Sequence, residues 1–131
     1  MLDVFRGDRA SIGYRIGICP AHYGTNQQWL IQKRGANTYV IRSRWHTGQF
    51  LDVFRNERHG SGFFVAVWPA HYGSNQLWGI EKHGNAFVIR SKTDGKVLDG
   101  FLSHSVHGSC QKVGVFSPHY DRNQLWYLER R

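Results

Sequence analysis

Short apolar runs, separated by glycine and small polar residues, dominate the pattern of this chain. Residues 39–43 (Tyr-Val-Ile-Arg-Ser) and 87–91 (Phe-Val-Ile-Arg-Ser) each place an aromatic residue beside two β-branched residues. Such runs, bounded by Gly, Asn, Asp and Ser, are typical of strands that end in turns. No stretch keeps the apolar period of a helix. The pattern therefore predicts an all-β chain.

A nine-residue phrase, Ala-His-Tyr-Gly-Thr-Asn-Gln-Gln-Trp in its first copy, occurs three times. Its closing tryptophans, Trp29, Trp78 and Trp126, are spaced 49 and 48 residues apart. A fixed period of this size indicates three equivalent structural units. We place these units at approximately residues 1–38, 39–86 and 87–131 of one domain that spans residues 1–131.

Each full unit reads as four short strands. The first is the Phe-Val-Ile-Arg-Ser run, and the second is a Leu-Asp-Val-Phe run that occurs at residues 2–5 and 51–54 and, as Leu-Asp-Gly-Phe, at 98–101. The third precedes the His-Tyr pair, and the fourth begins at the Gln-x-Trp sequence. Three four-stranded units around a pseudo-threefold axis make a β-trefoil, a closed arrangement that leaves few sheet edges open.

The first strand of the unit is present only twice. The given sequence before Leu2 does not supply the third copy. Residues 127–131 match the last strand of the third unit and do not supply it either. An upstream segment, an incomplete barrel or a partner chain would each account for the gap. A symmetric homodimer that covers this region is one such arrangement.

Composition narrows the class of protein. The chain of 131 residues carries a net charge of +8, which favours anionic partners or surfaces. Its basic residues are dispersed, however, so solvated surface charge is the simpler interpretation and we expect no nucleic-acid partner. No apolar run approaches the roughly 20 residues of a membrane helix, so we expect no membrane insertion. No signal peptide is visible, and localisation stays open.

The two cysteines do not indicate a disulfide framework. Cys19 and Cys110 occupy different places in their repeats, so we expect free, core-like thiols. The predicted fold then needs no oxidising compartment.

Three Gln-x-Trp sequences in register, each preceded by Asn and by a Leu-Asp strand, resemble those of the ricin B-type (R-type) lectins. The resemblance covers nearly the whole chain. It implies a β-trefoil in which each repeat can carry one shallow sugar pocket. The chain contains no His-Glu-x-x-His sequence, nucleophile elbow or phosphate loop, so we expect no catalytic activity, cofactor or metal. The implied partners are cell-surface glycans or glycoproteins. The disulfide that the family often has within each repeat is absent, because its positions hold residues such as Leu51 and Ala70.

The resemblance also assigns the pocket residues. The sugar-binding Asp corresponds to Asp3, Asp52 and Asp99, and the Asn beside it to Asn26, Asn75 and Asn123. The His-Tyr pairs that rim the pockets are His22-Tyr23, His71-Tyr72 and His119-Tyr120. The position of the aromatic platform holds Cys19, Trp68 and Phe116. Repeat two therefore keeps every element, repeat three comes next, and repeat one lacks the platform.

The residue types suit a sugar independently of the resemblance. A carboxylate can accept hydrogen bonds from two hydroxyls, and an amide beside it both donates and accepts. An aromatic ring packs against the C–H face of the sugar. The continuous apolar face of galactose or N-acetylgalactosamine favours these sugars over glucose.

Simpler interpretations apply to several repeated residues. The motif tryptophans and glutamines suit core packing and turn closure better than ligand contact. Three separate lobes place the repeated histidines too far apart for one zinc ion. A glycosidase needs a second carboxylate near the first, and the repeated Asp residues lack one nearby in sequence.

Two alternative functions stay open at this stage. One is a lectin for acidic, sialylated or sulfated glycans, in which Arg6 and Arg55, after the Leu-Asp-Val-Phe strands, contact the charge. The other is a trefoil for protein or nucleic-acid interaction with decayed pockets, although intact Asp and Asn in all three repeats argue against decay.

Overall fold

The computed structural model describes residues 1–10, 13–59, 62–105 and 110–130. Within that part, the side chains of residues 6–10, 55–59 and 101–105 lie outside the description. The proposed contacts of Arg6 and Arg55 with an acidic glycan therefore fall outside the described residues.

The described residues form ten strands and three short 3-10 turns, which confirms the all-β prediction. The strands are β1 (Leu2–Ala10), β2 (Gly13–Ile18), β3 (Trp29–Gly35), β4 (Thr38–Ser43), β5 (Gln49–His59), β6 (Gly62–Pro69), β7 (Trp78–His83), β8 (Ala86–Ser91), β9 (Val97–Ser105) and β10 (Gln111–Phe116). The turns are Thr25–Gln27, Ser74–Gln76 and Arg122–Gln124. No helix of the described chain has the length and apolar character that crossing a membrane requires.

Three long hairpins, β1–β2, β5–β6 and β9–β10, meet around the pseudo-threefold axis. Their contacts repeat with the same register, because Tyr14 pairs with Val67, Phe63 with Val115, and Gln111 with Ile18. Each pair joins the second strand of one hairpin to the second strand of the next. The three units thus form a closed ring at this end of the molecule.

The core lies inside this ring and is built from the alternate residues that face inward. Ile16, Val65 and Val113 occupy equivalent positions on the three second strands, and all are buried. The motif tryptophans pack against the same core, and Trp78 is fully buried. The indole nitrogen of Trp78 also donates to the carbonyl oxygen of Leu51 at 3.1 Å, which ties the motif to the Leu-Asp strand.

At the other end of the molecule, the ring of hairpins is less complete. The hairpins β3–β4 and β7–β8 pair through Tyr39 and Trp78, and Phe87 pairs with Trp126. The prediction of a last strand over residues 127–131 is wrong for residues 127–130, which form no strand, and residue 131 lies outside the described residues. In the first two units, the strand that begins at the motif tryptophan, β3 or β7, pairs with β4 or β8. No strand among the described residues pairs in this way with the segment after Trp126, and Tyr127 is 75% exposed.

The prediction of free cysteines is also wrong, because Cys19 and Cys110 form a disulfide. Cys19 follows β2 directly and Cys110 directly precedes β10, and the pairing of Gln111 with Ile18 brings these strand ends together. The sequence did not predict this disulfide, because the two cysteines occupy different positions in their repeats. The ring brings those different positions of neighbouring units together. In the chain-entropy model a crosslink over 91 residues stabilises the fold by about 4–5 kcal/mol. Disulfides persist in oxidising surroundings. The expectation that the fold needs no oxidising compartment is therefore wrong as well.

Candidate functional site

The motif glutamine closes the loop that carries the His-Tyr pair. The side-chain oxygen of Gln76 accepts from the backbone N–H groups of His71 and Tyr72, at 2.9 and 3.1 Å. Its side-chain nitrogen donates to the carbonyl oxygen of Pro69 at 3.0 Å and to Asp52 Oδ2 at 2.9 Å. Gln27 and Gln124 make the same four bonds in their repeats. The glutamine is thus structural, as expected, but it also holds the aspartate, a role that the sequence did not reveal.

The repeated aspartate lies at the centre of a buried network. Asp52 is 2% exposed. Its Oδ1 accepts from the side-chain nitrogen of Asn75 at 2.7 Å, and its Oδ2 lies 3.2 Å from Nε2 of His71. The same groups surround Asp3, where Asn26 donates at 2.8 Å and His22 lies at 3.3 Å.

In repeat three the network is looser on one side. Asn123 still donates to Asp99 at 2.8 Å, but Nε2 of His119 lies 3.8 Å from Asp99 Oδ2, beyond hydrogen-bond distance. The other ring nitrogen of His119 lies 3.4 Å from Asp121, a carboxylate that the first two repeats replace with glycine. Repeats two and three therefore offer a ligand different electrostatic surroundings.

The hydrogen bonds of the histidine fix its tautomer. The backbone N–H of Gly73 donates to Nδ1 of His71 at 2.9 Å, so Nδ1 carries no proton in this arrangement. The ring proton of the neutral imidazole then lies on Nε2 and points at Asp52. Because the His71 side chain is 43% exposed and the Asp52 side chain only 3%, the histidine covers the carboxylate and presents the outer face of the network.

Burial dominates the acid–base behaviour of Asp52. Loss of solvent raises the pKa of its carboxyl, while the hydrogen bonds from Gln76, Asn75 and His71 oppose that rise.

The tyrosine that follows each histidine has an unusual backbone. Tyr23, Tyr72 and Tyr120 have φ angles of 61°, 59° and 64°. This left-handed region is costly for a bulky residue, and such strain at three equivalent positions is typical of functional loops.

Two of these tyrosines are held by the hairpin of the preceding unit. The guanidinium carbon of Arg34 lies 4.1 Å from the ring centroid of Tyr72, and His83 stacks on Tyr120 with ring centroids 5.2 Å apart. Arg34 and His83 occupy equivalent positions near the ends of β3 and β7. Sequence reasoning missed both, although their shared position in the repeat was a usable signal.

The aromatic platforms pack on glycines of the neighbouring unit. A Cβ atom added to Gly13 would lie 2.7 Å from the ring of Trp68, and one added to Gly62 would lie 2.8 Å from the ring of Phe116. The ring of Phe54 meets that of Trp68 edge to face at a centroid distance of 5.3 Å. Both platform rings stay half-buried, so part of each remains open to solvent.

The match to known proteins agrees with this architecture. The family model of the ricin-type beta-trefoil lectin domain-like proteins matches residues 25–108, more than half of the chain. The chain belongs to this family. The predicted membership and the β-trefoil fold are thereby confirmed, and the lectin family supports carbohydrate binding in general.

Solved structures share the fold of this lectin-like domain. The designed threefold symmetric protein ThreeFoil is 27% identical with a TM-score of 0.82, and the match covers 96% of this chain and 87% of that one. An exo-beta-1,3-galactanase from Clostridium thermocellum is 24% identical with a TM-score of 0.79, over 96% of this chain and 26% of its own. A Polyporus squamosus lectin, solved with Neu5Aca2-6Galb1-4GlcNAc, is 22% identical with a TM-score of 0.68, over 95% and 42% of the two chains. No curated protein matches the chain.

The structure brings most of the predicted pocket residues of the lectin-like domain together. In repeat two, the Asp52, His71 and Asn75 side chains form one network, and Tyr72 flanks it on the same loop. Trp68 precedes Pro69, whose carbonyl oxygen binds the glutamine of the network. Among the described residues, no group of three or more His, Cys, Asp or Glu side chains is placed to hold a metal ion.

Proposed function

We propose that the protein is a non-enzymatic lectin that binds galactose-type or N-acetylgalactosamine-type glycan termini through repeats two and three. The observation that carries the proposal is the Asp52–Asn75–His71 network. Asp52 pairs with Ala66, and the half-buried Trp68 lies two residues further along the same strand, on the same face of the hairpin. Its natural ligands would be cell-surface glycans or glycoproteins.

The network leaves suitable groups for vicinal hydroxyls. Among the described residues, Asp52 Oδ1 has one donor, the side-chain nitrogen of Asn75, and it therefore retains acceptor capacity. The half-buried Asn75 can offer its side-chain oxygen, and His71 is exposed at the rim. Trp68 supplies a surface for the C–H face of the sugar. Polar groups that fix orientation beside one apolar surface are typical of small-ligand sites.

The test removes the aspartates, which are the proposed hydrogen-bond acceptors of the sugar hydroxyls. Asp52→Ala together with Asp99→Ala should weaken galactose binding by about 1.5–3 kcal/mol per site, since a charged hydrogen-bond acceptor is lost. Isothermal titration calorimetry measures the change, and circular dichroism checks the fold. Asp3→Ala, which removes the equivalent carboxylate from the repeat without a platform, is the matched control. Unchanged galactose affinity in the Asp52/Asp99 double variant would show that the pockets are elsewhere.

A second candidate is a preference for acidic glycans, and one contact favours it. Arg34 is exposed and lies over Tyr72 at the rim of repeat two, whereas the equivalent residue at the rim of repeat three is His83, which stacks on Tyr120. A guanidinium at this position suits a carboxylate or sulfate on an extended glycan. A glycan array read at two salt concentrations separates the candidates, because binding of acidic glycans through Arg34 weakens with salt and binding of neutral galactosides does not.

A further inference from the structure

Each of the three interfaces around the axis joins a platform position to one position of the preceding unit. At two interfaces an aromatic ring lies on a glycine, Trp68 on Gly13 and Phe116 on Gly62. At the third interface the same two positions hold Cys19 and Cys110, which form the disulfide. The disulfide thus occupies the place of an aromatic-on-glycine contact.

The strand register makes this equivalence a structural one. In each interface the residue after the glycine position pairs with the residue before the platform position. The three pairs are Tyr14 with Val67, Phe63 with Val115, and Gln111 with Ile18. Cys19 and Cys110 therefore sit where a ring and a glycine would sit.

The polar half of a sugar site survives in repeat one. Asp3 keeps the hydrogen bond from Asn26 at 2.8 Å and the neighbouring His22 at 3.3 Å. Asn26 is 7% exposed, and its side-chain oxygen is buried without a hydrogen-bond partner in the described part of the chain. Such an orphaned acceptor is costly. Its equivalents in the other repeats belong to half-buried side chains that a ligand can reach.

We propose that repeat one is a dormant sugar site, and that the residue pair 19 and 110 decides whether it binds. This inference rests on the proposed lectin function of repeats two and three. With a ring at position 19 and glycine at position 110, the apolar half of the pocket is restored. With the disulfide in place, repeat one contributes a crosslink in place of a binding site.

The test is a gain of binding in the full chain. Asp52→Ala and Asp99→Ala first remove the other two sites. In that background, Cys19→Trp with Cys110→Gly copies the Trp68–Gly13 pair, and Cys19→Phe with Cys110→Gly copies the Phe116–Gly62 pair. Cys19→Ala with Cys110→Ala is the control that removes the disulfide without adding a ring. Galactose titrations followed by NMR, with the Asn26 side-chain amide as the reporter, measure the affinity.

The expected result is galactose binding at repeat one that is about three to ten times tighter in either ring-bearing variant than in the alanine control. The Asn26 amide signal should shift only in the ring-bearing variants. Equal affinities in folded ring-bearing and alanine variants would overturn the inference. So would unfolding of both ring-bearing variants while the alanine control folds, because the inference requires a ring to fit this interface. A wild-type chain that binds no galactoside would instead overturn the proposed function itself.

Discussion

At the scale of single residues, the histidine and the aspartate of repeat two form a pair with a fixed geometry. His71 accepts from Gly73 at one ring nitrogen and turns the other towards Asp52. The buried carboxylate keeps three polar neighbours, so its charge is compensated by hydrogen bonds and by no described lysine or arginine. A site of this kind holds a carboxylate ready for hydroxyl groups while shielding it from bulk water.

The burial of Asp52 predicts a specific dependence of stability on pH. Because its pKa is raised in the folded protein, the folded state holds the proton more tightly than the unfolded state. The contribution of Asp52 to the unfolding free energy is therefore full below its unfolded pKa, about 3.9, and falls as the pH rises through the folded pKa. Urea unfolding of wild type and Asp52→Ala across this range should give a difference that shrinks with rising pH and then levels off.

Asp121→Ala provides the baseline for that comparison, because it removes a carboxylate whose side chain is 81% exposed. A difference between wild type and Asp52→Ala that stays constant, or that grows with pH, would contradict a raised pKa.

At the scale of strands, the glycines under the platform rings set the spacing between units. A Cβ atom on Gly13 would collide with the carbonyl oxygen of Val67, and a Cβ atom on Gly62 would collide with that of Val115. Backbone atoms on neighbouring strands cannot move aside as a flexible side chain can. Glycine is therefore required by the close approach of the strands and by the ring that covers it.

Gly13→Ala should consequently destabilise the fold by about 1–3 kcal/mol, the usual cost of forcing an extra carbon into a packed interface. Chemical denaturation measures the loss. Gly48→Ala is the control, because its added Cβ would meet only the ring of His46, no closer than 3.5 Å. It should change stability by no more than about 0.5 kcal/mol. Equal effects of the two substitutions would mean that the interface between units opens easily.

Periodicity carried the sequence-based prediction of these elements, and its limits are instructive. It predicted three units, and the strands that start at Trp29 and Trp78 follow from it directly. It wrongly predicted a strand from Tyr127 onwards, because a strand forms only where a partner strand lies beside it. It also missed the bond between Cys19 and Cys110, because that contact joins unlike repeat positions across a ring closed only in three dimensions.

The sequence predicted the residues of the candidate site that lie within one repeat, but not those that a neighbouring repeat contributes. The resemblance to the R-type lectins placed Asp52 and Asn75 in one pocket, and in the structure Asn75 donates to Asp52 at 2.7 Å. The sequence did not predict the role of Arg34, because this residue of repeat one contacts Tyr72 at the rim of the pocket in repeat two. Contacts between units depend on how the ring closes, which local patterns do not encode.

At the scale of the whole molecule, the three units have the same backbone plan but different roles. Repeat two has the tighter network and repeat three the looser one, while the first unit is fastened to the third by the disulfide. The two sites proposed in repeats two and three lie on one ring of paired strands, so they would present their ligands in a defined relative arrangement. Such an arrangement suits a surface dense in glycans better than a free sugar.

Valency should therefore dominate binding to surfaces. A single shallow pocket is expected to bind a monosaccharide with a Kd of ~1 mM, about −4 kcal/mol. Two pockets that engage one surface gain on the order of 10²–10⁴-fold in avidity. Asp99→Ala should thus halve the number of sites for free galactose, measured by calorimetry, but lower retention on an asialoglycoprotein-coated biosensor by far more than half. Asp3→Ala should change neither measurement.

The oligomeric state decides how that experiment is interpreted. Tyr127 and Leu128 are exposed beside the incomplete hairpin ring, where we expect a symmetric homodimer to cover the gap. A dimer would double the number of pockets and leave Asp99→Ala with two, so its surface binding would fall less than that of a monomer. Light scattering on wild type and on Leu128→Asp, which places a charge on this surface, should show a dimer that the substitution dissociates. A monomeric wild type whose retention falls only in proportion to its sites would show that the pockets bind independently.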